Sequence, residues 1–350
     1  MNLREQLEKE EDAYLSPQAM RSRLSRGRSL PEPECAMRPA FQRDRDRILY
    51  SKAFRRLKHK TQVFLAPAGD HYHTRLTHTL EVSQIARSMA RALRLNQDLA
   101  EAIALGHDLG HAPFGHAGET TLNQLAPGGF QHWQQSLRVV DHLERAGQGL
   151  NLTYEVRMGI WGHSKGRDHF LDRPAHIDHL TLEAQLVRAA DLMAYLAHDA
   201  DDAIRGGVLT PRDLPPRVLS FLGPRMSQQI GGMIQNLIEN TAAALAAGGR
   251  NITVSQELSA VMMEFREFLY RKVYENQEVH HNFIKASKIL RELYAALLDD
   301  RHFFRLQIGE IPAQPGEQER AVIDHVAGMT DIYALNLYQK YFMPQPWGKI

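Results

Sequence analysis

The chain has 350 residues, 43% of them hydrophobic and 24% charged, with a formal net charge of +1 at pH 7. This composition is that of a globular protein and excludes a disordered chain, and the single cysteine, Cys35, excludes an intrachain disulfide and a thiolate metal cluster. Because no apolar run approaches the length of a membrane span and the N-terminus is charged where a signal peptide is apolar, we expect a cytoplasmic protein without membrane contact.

The N-terminal part of the chain is strongly basic although the total charge is close to zero. Between Met20 and Lys60, thirteen Lys and Arg residues stand against four acidic residues, which gives a local net charge of +9. Such a segment can attract a polyphosphate or a nucleic-acid backbone, and it is equally typical of a solvated helix face. We treat residues 1–40 as a basic N-terminal segment, with single-stranded nucleic acid as a candidate partner.

Hydrophobic periodicity predicts helices along nearly the whole chain. Apolar residues at spacings of four or five predict a helix over about residues 74–95. Asn96 or Asp98 can cap the next helix. A third helix is predicted over about residues 181–204, and it ends at the glycine pair 206–207.

Further helices are predicted over four later segments, residues 225–247, 255–273, 282–298 and 317–341. The only candidate strand is the short alternating run 60–64. The segment 112–115 breaks the helical pattern, so we expect His111 and His116 to lie on or beside a loop. The sequence therefore predicts an all-α protein with an appended C-terminal helical part.

Four residues on three predicted helices form a candidate metal site: His78, the adjacent pair His107 and Asp108, and Asp191. Imidazole and carboxylate together suit a divalent cation such as Mn, Fe, Co, Ni or Mg. A metal held by two His and two Asp keeps positions for water, as metal-assisted hydrolysis requires. Adjacent side chains on a helix point about 100° apart, so the pair reaches one ion only where the helix end bends round it.

Helix geometry places further polar residues beside these ligands. Arg75 lies three residues before His78 and projects from the same side of the helix. Asp191, Tyr195 and Asp199 follow at i, i+4 and i+8, so Tyr195 and Asp199 face the same cavity as Asp191. Each feature alone is ordinary in a chain with 18 histidines. The specific signal is the ordered combination R-x-x-H, HDLGHxPFGHxGE and D-x-x-x-Y-x-x-x-D.

This combination resembles the HD-domain deoxynucleoside triphosphate triphosphohydrolases, specifically the bacterial deoxyguanosinetriphosphate triphosphohydrolase-like proteins. The matching segments include FQRDRDRILYSKAFRRLKHKTQVF, TRLTHTLEVSQIAR, ALGHDLGHAPFGHAGE and RAADLMAYLAHDADDAIRGG, and the resemblance extends from about residue 25 to 338. It implies an HD-domain helical bundle over residues 41–207, with additional C-terminal helices over residues 208–350 packed on it.

The same resemblance implies an activity and its partners. The reaction would be hydrolysis of a dNTP, dGTP-like, to deoxynucleoside and inorganic triphosphate with a divalent metal (Mn, Mg, Co, Ni or Fe). The resemblance also implies a homo-oligomer, and it leaves open whether a second dNTP activates the enzyme at an allosteric site.

By matched position, the resemblance implies the metal and catalytic residues. The metal ligands would be His78, His107, Asp108 and Asp191. His116 and Glu119 fall where the family keeps a catalytic His-x-x-Glu pair, in which the carboxylate holds the imidazole tautomer for proton transfer.

The resemblance also implies residues that bind the substrate. Arg75 and His111 match phosphate-contacting positions, and the forked, permanently charged guanidinium of Arg75 suits a triphosphate. Tyr195 matches a ring that packs against the substrate near the α-phosphate and sugar. Asp199 and Gln62 match positions that contact the deoxyribose 3′-hydroxyl.

One stretch departs from the family pattern. Where the family commonly carries Phe-Glu-His-Asn, this chain reads Phe-Gln-His-Trp over residues 130–133. His132 keeps a position assigned to catalysis, but Gln131 cannot serve as its charged partner and Trp133 replaces a small amide. The departure concerns the role of His132 and leaves the metal ligands untouched.

Two other interpretations stay open at this point. A different HD phosphohydrolase, acting on a nucleoside monophosphate, a phosphodiester or an alarmone, shares the His…His-Asp…Asp pattern but lacks the flanking motifs. A nucleic-acid-binding regulator with a vestigial site would use the basic segment, although every predicted ligand is intact. Release of triphosphate from a dNTP separates the first interpretation from both.

Overall fold

A computed structural model of the chain describes residues 1–62, 73–164 and 180–344. Within these ranges the secondary structure is helical, no strand forms, and the extended pairings are two isolated bridges, Arg28 with Thr153 and Thr61 with Thr74. The prediction of an all-α protein is confirmed. The candidate strand 60–64 contributes only the Thr61 bridge, and its residues 63 and 64 lie outside the described residues.

The helices of the first half are α1 (Leu3–Tyr14), α2 (Ala40–Leu49), α3 (Lys52–Arg56), α4 (Arg75–Ala92), α5 (Gln97–Gly106), α6 (Gly115–Leu125), α7 (His132–Arg138), α8 (Glu144–Gly147) and α9 (Tyr154–Gly162). Those that follow are α10 (Leu182–Arg205), α11 (Pro216–Leu222), α12 (Met226–Ala246), α13 (Gln256–Leu269), α14 (Gln277–Asp299), α15 (Arg301–Gln307), α16 (Pro315–Gly328) and α17 (Asp331–Phe342). None of the helices in the described ranges has the length and apolarity that crossing a membrane requires.

Helices α4, α5 and α10 form the centre of the molecule and begin at polar caps. Thr74 accepts a hydrogen bond from the Thr77 backbone, and Asn96 and Thr181 cap α5 and α10 in the same way. Such caps satisfy backbone N–H groups that the first turn leaves unpaired. The predicted starts of these three helices are therefore confirmed to within a residue.

The apolar core has two parts that meet at the segment following α5. The first part joins side chains of α2, α4, α5, α9 and α10 with those of α12 and α13. The second part joins Ala112, Phe114 and residues of α6 with α14, α15, α16 and α17. The end of α5 belongs to the first part, so the loop after it is held between the two. The boundary at residue 208 stays a prediction, since the cores do not divide there.

The single helix predicted over residues 317–341 is wrong, because the chain breaks between α16 and α17. Met329 is extended, and the Thr330 side chain accepts from the Tyr333 backbone to start α17. The break turns buried Asp331 toward the centre of the molecule, where its carboxylate accepts from the backbone nitrogens of Thr61 (2.9 Å) and Phe114 (2.9 Å).

Much of the basic N-terminal charge is paired within the fold. Seven of the thirteen basic residues between Met20 and Lys60 form ion pairs: Arg21, Arg23, Arg28, Arg38, Arg43, Arg45 and Arg47. Lys60 is buried, donates to the Ala327 carbonyl at 2.8 Å, and has its pKa lowered by burial to about 7. Binding of single-stranded nucleic acid stays a prediction. Fewer unpaired basic side chains are available for it than the composition of the segment indicates.

Candidate active site

The four predicted metal ligands converge from three helices. His78 lies on α4 and Asp191 on α10, whereas α5 ends at Gly106, so His107 and Asp108 occupy the turn that follows it. Nε2 of His78 is 3.2 Å from Oδ1 of Asp191, and Nε2 of His107 is 3.4 Å from Oδ1 of Asp108 and 3.9 Å from Oδ1 of Asp191. The adjacent His107 and Asp108 therefore both reach the same group of ligand atoms from the turn after α5.

The tautomer of His107 suits metal binding. Its Nδ1 lies 2.6 Å from the Ala104 carbonyl oxygen and donates to it. Nε2 therefore presents a lone pair, and this atom is buried without a hydrogen-bond partner. A buried nitrogen 3.4 Å and 3.9 Å from two carboxylate oxygens is stabilised by a positive charge between them, either a proton or a metal ion. The residues present could thus hold a divalent metal.

Asp108 is anchored as an anion. Its Oδ2 accepts from Nη1 of Arg75 at 2.7 Å, and both side chains are buried. Burial alone would raise the pKa of Asp108, but His107, His111 and Arg75 outweigh it and hold the pKa well below its ordinary value. Arg75 therefore brings a permanent positive charge directly beside the predicted metal position.

Glu119 bonds to His132 and not to His116, which corrects the expected His-x-x-Glu pair. Its Oε1 accepts from both the backbone nitrogen and the Nδ1 of His132, each at 2.8 Å. No hydrogen bond joins Glu119 to His116 in the described ranges. The physical reason is that His132 is the first residue of α7, where an unpaired N–H attracts a carboxylate.

This pairing resolves the departure at Gln131, because the charged partner comes from α6. Burial would lower the pKa of His132, but the Glu119 carboxylate outweighs it and raises the pKa. Burial would raise the pKa of Glu119, but His132 outweighs this effect and lowers the pKa of Glu119 to about 2. The pairing therefore favours the charged forms of both groups, imidazolium and carboxylate.

His163 completes a row of buried rings beside the predicted ligands. Its Nδ1 donates to the Ile160 carbonyl at 2.6 Å, and its Nε2 lies 3.1 Å from Nε2 of His132. His132 also stacks on His111 with ring centroids 4.1 Å apart. Burial, with added repulsion from His107 and His132, lowers the pKa of His163 to about 3, so its Nε2 can accept a hydrogen bond from Nε2 of His132. No motif in the sequence singled out His163.

His116 lies at the start of α6 and is in none of the groups of ligand atoms that could hold a metal among the described residues. The chain reaches this position through two left-handed residues, Phe114 (φ 64°) and Gly115 (φ 55°). A Cβ at Gly115 would lie 3.1 Å from the Gln62 carbonyl oxygen, so glycine permits the close approach. The His116 ring is solvent-accessible and meets the Tyr274 ring edge-on at 5.6 Å. Desolvation by surrounding protein lowers its pKa.

Tyr274, which the sequence did not single out, packs against Tyr195 and Asp199 of α10. The rings of Tyr195 and Tyr274 are stacked, with centroids 6.1 Å apart. The Tyr274 hydroxyl donates to Oδ2 of Asp199, whereas Oδ1 is buried without a hydrogen-bond partner. Burial raises the pKa of Asp199 to about 7. Tyr274 lies in a π turn, residues 270–274, where only the tertiary structure shows its neighbours.

Backbone contacts of its neighbours hold Gln62 in place. The Thr61–Thr74 bridge and the hydrogen bond from the Arg75 nitrogen to the Lys60 carbonyl (3.0 Å) hold it next to the start of α4. Its side chain is buried, and Oε1 has no hydrogen-bond partner. No hydrogen bond between Gln62 and Asp199 is present in the described part of the chain.

Comparison with known proteins accords with this arrangement. Residues 75–199 match the HD domain, and residues 252–340 match the phosphohydrolase-associated domain. A solved structure of a hypothetical protein from Aquifex aeolicus is similar over 84% of this chain and 67% of the other chain, with 19% identity and a TM-score of 0.44. This likeness is too distant to inform the site.

The full-length relatives are much more similar. A deoxyguanosinetriphosphate triphosphohydrolase-like protein of Desulfatibacillum aliphaticivorans is 50% identical over 351 residues, which cover 99% of each chain. Another from Caldanaerobacter subterraneus subsp. tengcongensis is 49% identical over 352 residues, covering 99% of this chain and 98% of the relative. This chain therefore belongs to the family of HD-domain, deoxyguanosinetriphosphate triphosphohydrolase-like proteins.

Proposed function

We propose that the chain hydrolyses deoxynucleoside triphosphates such as dGTP to the deoxynucleoside and inorganic triphosphate. The observation that carries the proposal is the convergence of two imidazoles and two carboxylates, with the unpartnered Nε2 of His107 among them and Arg75 beside them. The names of the full-length relatives support the same substrate class.

The proposed cofactor is a divalent cation held by His78, His107, Asp108 and Asp191. When bound, it would neutralise phosphate charge and lower the pKa of water. Asp108 remains anionic because Arg75 and the neighbouring imidazoles stabilise its charge. Arg75 is buried, so its charge acts on a bound triphosphate with little screening.

Proton transfer is assigned to the Glu119–His132 pair and to His116. In the reaction a water oxygen bonds to the α-phosphorus, the bond to the 5′-oxygen breaks, and that oxygen takes up a proton. Glu119 raises the pKa of His132 and so favours its protonated form, which can give a proton to that oxygen. His116 has a lowered pKa and solvent access, which suit a group that accepts a proton.

The sugar is assigned to the surface formed by Tyr195, Tyr274 and Asp199. The free Oδ1 of Asp199 can accept a hydrogen bond from the 3′-hydroxyl, and the stacked rings offer an apolar face to the deoxyribose. A ribose 2′-hydroxyl against these rings would lose its hydration without a partner. This arrangement favours deoxyribonucleotides over ribonucleotides.

The test is product analysis with chelator-treated protein that has been reloaded with Mn²⁺ and incubated with each dNTP. We expect deoxynucleoside and triphosphate in equal amounts, and we expect Asp108→Ala to abolish both. Release of pyrophosphate or phosphate in place of triphosphate would assign the chain to another class of HD phosphohydrolase. Homo-oligomerisation, allosteric activation by a dNTP and cytoplasmic location stay predictions.

A further inference from the structure

A second group of metal-ligating side chains lies along α4 and α10, the helices that carry His78 and Asp191. His73 precedes the start of α4, Glu81 lies on α4, and His198 lies on α10. One ligand atom from each of the three residues falls within 4.8 Å of the others. The group shares no residue with the four predicted HD ligands.

The orientation of His73 is fixed by a carboxylate behind it. Its Nδ1 lies 2.7 Å from Oδ1 of Asp202, and its backbone nitrogen donates to Oδ2 of the same residue at 3.2 Å. Nε2 is thereby turned toward Oε2 of Glu81, 3.6 Å away. A carboxylate that holds the far nitrogen of a ligating histidine is the usual support of a zinc-binding imidazole.

His198 places its Nδ1 beside the same carboxylate oxygen of Glu81. Its Nδ1 lies 3.2 Å from Oε2 of Glu81, and its ring stacks on His73 with centroids 4.6 Å apart and planes 5° apart. The side chain is 1% exposed, yet Nδ1 is buried without a hydrogen-bond partner, as is Oε2 of Glu81. Two unpartnered ligand atoms therefore face each other inside the protein.

A proton on His73 is the ordinary alternative to a cation at this point. Asp202 and Glu81 outweigh burial and raise the pKa of His73 to about 10, so the ring can carry a charge between two carboxylates. That proton satisfies His73, but it leaves Nδ1 of His198 without a partner. A cation bound to all three atoms satisfies the whole group.

We propose that Nε2 of His73, Oε2 of Glu81 and Nδ1 of His198 bind a second divalent cation of the zinc class, with Asp202 orienting His73. Two imidazoles and one carboxylate, with a fourth position for water, form a ligand set that zinc accepts. The cation would join the start of α4 to α10. The His78 and His198 rings are 6.0 Å apart, so the cation would brace the helices that carry the HD ligands.

The experiment measures zinc per chain on the full-length protein, after chelation, reloading with Zn²⁺ and removal of unbound ion. We expect two zinc ions in the unmodified protein and one in both Glu81→Gln and Asp108→Ala. We expect none in the double variant. Glu257→Gln and His302→Ala, which change exposed residues elsewhere, should keep two. This readout is independent of dNTP hydrolysis.

The proposal fails if Glu81→Gln binds as much zinc as the unmodified protein, or if Asp108→Ala binds none. Because substitution at Glu81 can disturb the pairing of His73, crystals of the unmodified chain soaked in Zn²⁺ provide a second measurement. Anomalous density between His73, Glu81 and His198 supports the site. Its absence, with density at the HD ligands, overturns the site even if the variants do not fold.

Discussion

Oε1 of Glu119 accepts hydrogen bonds from both the backbone nitrogen and the Nδ1 of His132 at 2.8 Å. The two residues are thirteen positions apart, on α6 and at the start of α7. Glu119 therefore provides the charge that Gln131 cannot, and it does so from outside the motif in which His132 stands. The carboxylate thereby raises the pKa of His132 and favours its protonated form beside the predicted metal ligands.

Glu119→Gln should therefore lower turnover and shift its pH dependence. The carboxylate raises the pKa of His132, so its loss lets burial lower that pKa and moves the alkaline limb of the kcat profile to lower pH. We expect turnover at neutral pH to fall about 10²–10⁴-fold. A kcat profile across pH, with Glu257→Gln as the matched control, checks this. An unshifted profile would remove Glu119 from the proton-transfer pair.

Loss of one HD ligand should release the metal without unfolding the protein. His107→Ala removes the buried lone pair of Nε2, and Asp108→Ala removes the carboxylate beside it. Each variant is expected to bind one fewer divalent ion per chain and to keep its helical circular dichroism. Elemental analysis gives the count. Full metal content in either variant would exclude that residue as a ligand.

His116→Ala should separate metal binding from turnover. The ring lies at the start of α6 against Tyr274 and is in none of the candidate ligand groups of the described residues, so metal content should not change. If His116 transfers a proton, kcat under saturating dNTP should fall about 10²–10⁴-fold. A rate within a few-fold of the unmodified enzyme would show that His116 takes no part in the reaction.

Tyr195→Ala should erode discrimination between dGTP and GTP. The stacked Tyr195 and Tyr274 rings would exclude a 2′-hydroxyl, and exclusion with desolvation contributes on the order of 2–4 kcal/mol, or roughly 30- to 1000-fold in kcat/KM. The variant should lose most of that ratio while keeping its metal. Comparable kcat/KM for the two nucleotides in the unmodified enzyme would contradict this sugar pocket.

Asp331→Ala should destabilise the fold. The carboxylate accepts from the backbone nitrogens of Thr61 and Phe114 and is buried, so its loss leaves both N–H groups without a partner. We expect the free energy of unfolding to fall by about 2–3 kcal/mol. Thermal denaturation checks this, with the exposed residue Asp12 changed to Ala as a control that should have little effect. Equal melting temperatures would show that Asp331 is dispensable.

What the sequence could predict was set by local signals. Caps at Thr74, Asn96 and Thr181 depend on neighbouring residues, so the starts of α4, α5 and α10 were predictable. The HD motif and the later Asp191 likewise identified side chains that the fold brings together. In contrast, the periodicity of residues 317–341 concealed the break at Thr330, because apolar residues continue through it.

The remaining parts of the site depend on contacts between distant segments. Tyr274 bonds to Asp199 across 75 positions, and His163 faces His132 across 31. No spacing rule predicts such pairs, because they form only when α7 packs on α9 and when the turn after α13 packs on α10. The free charge of the basic segment was also not predictable, because part of it forms ion pairs with distant residues such as Asp98 and Glu101 on α5.

The most direct test of the proposed reaction follows the oxygen of water. The metal-loaded enzyme is incubated with dGTP in water enriched in oxygen-18, and the products are separated and weighed by mass spectrometry. Attack at the α-phosphorus with cleavage of the bond to the 5′-oxygen predicts one labelled oxygen in inorganic triphosphate and none in deoxyguanosine. Labelled deoxyguanosine, or label found in pyrophosphate or phosphate with no triphosphate formed, would contradict the proposed reaction.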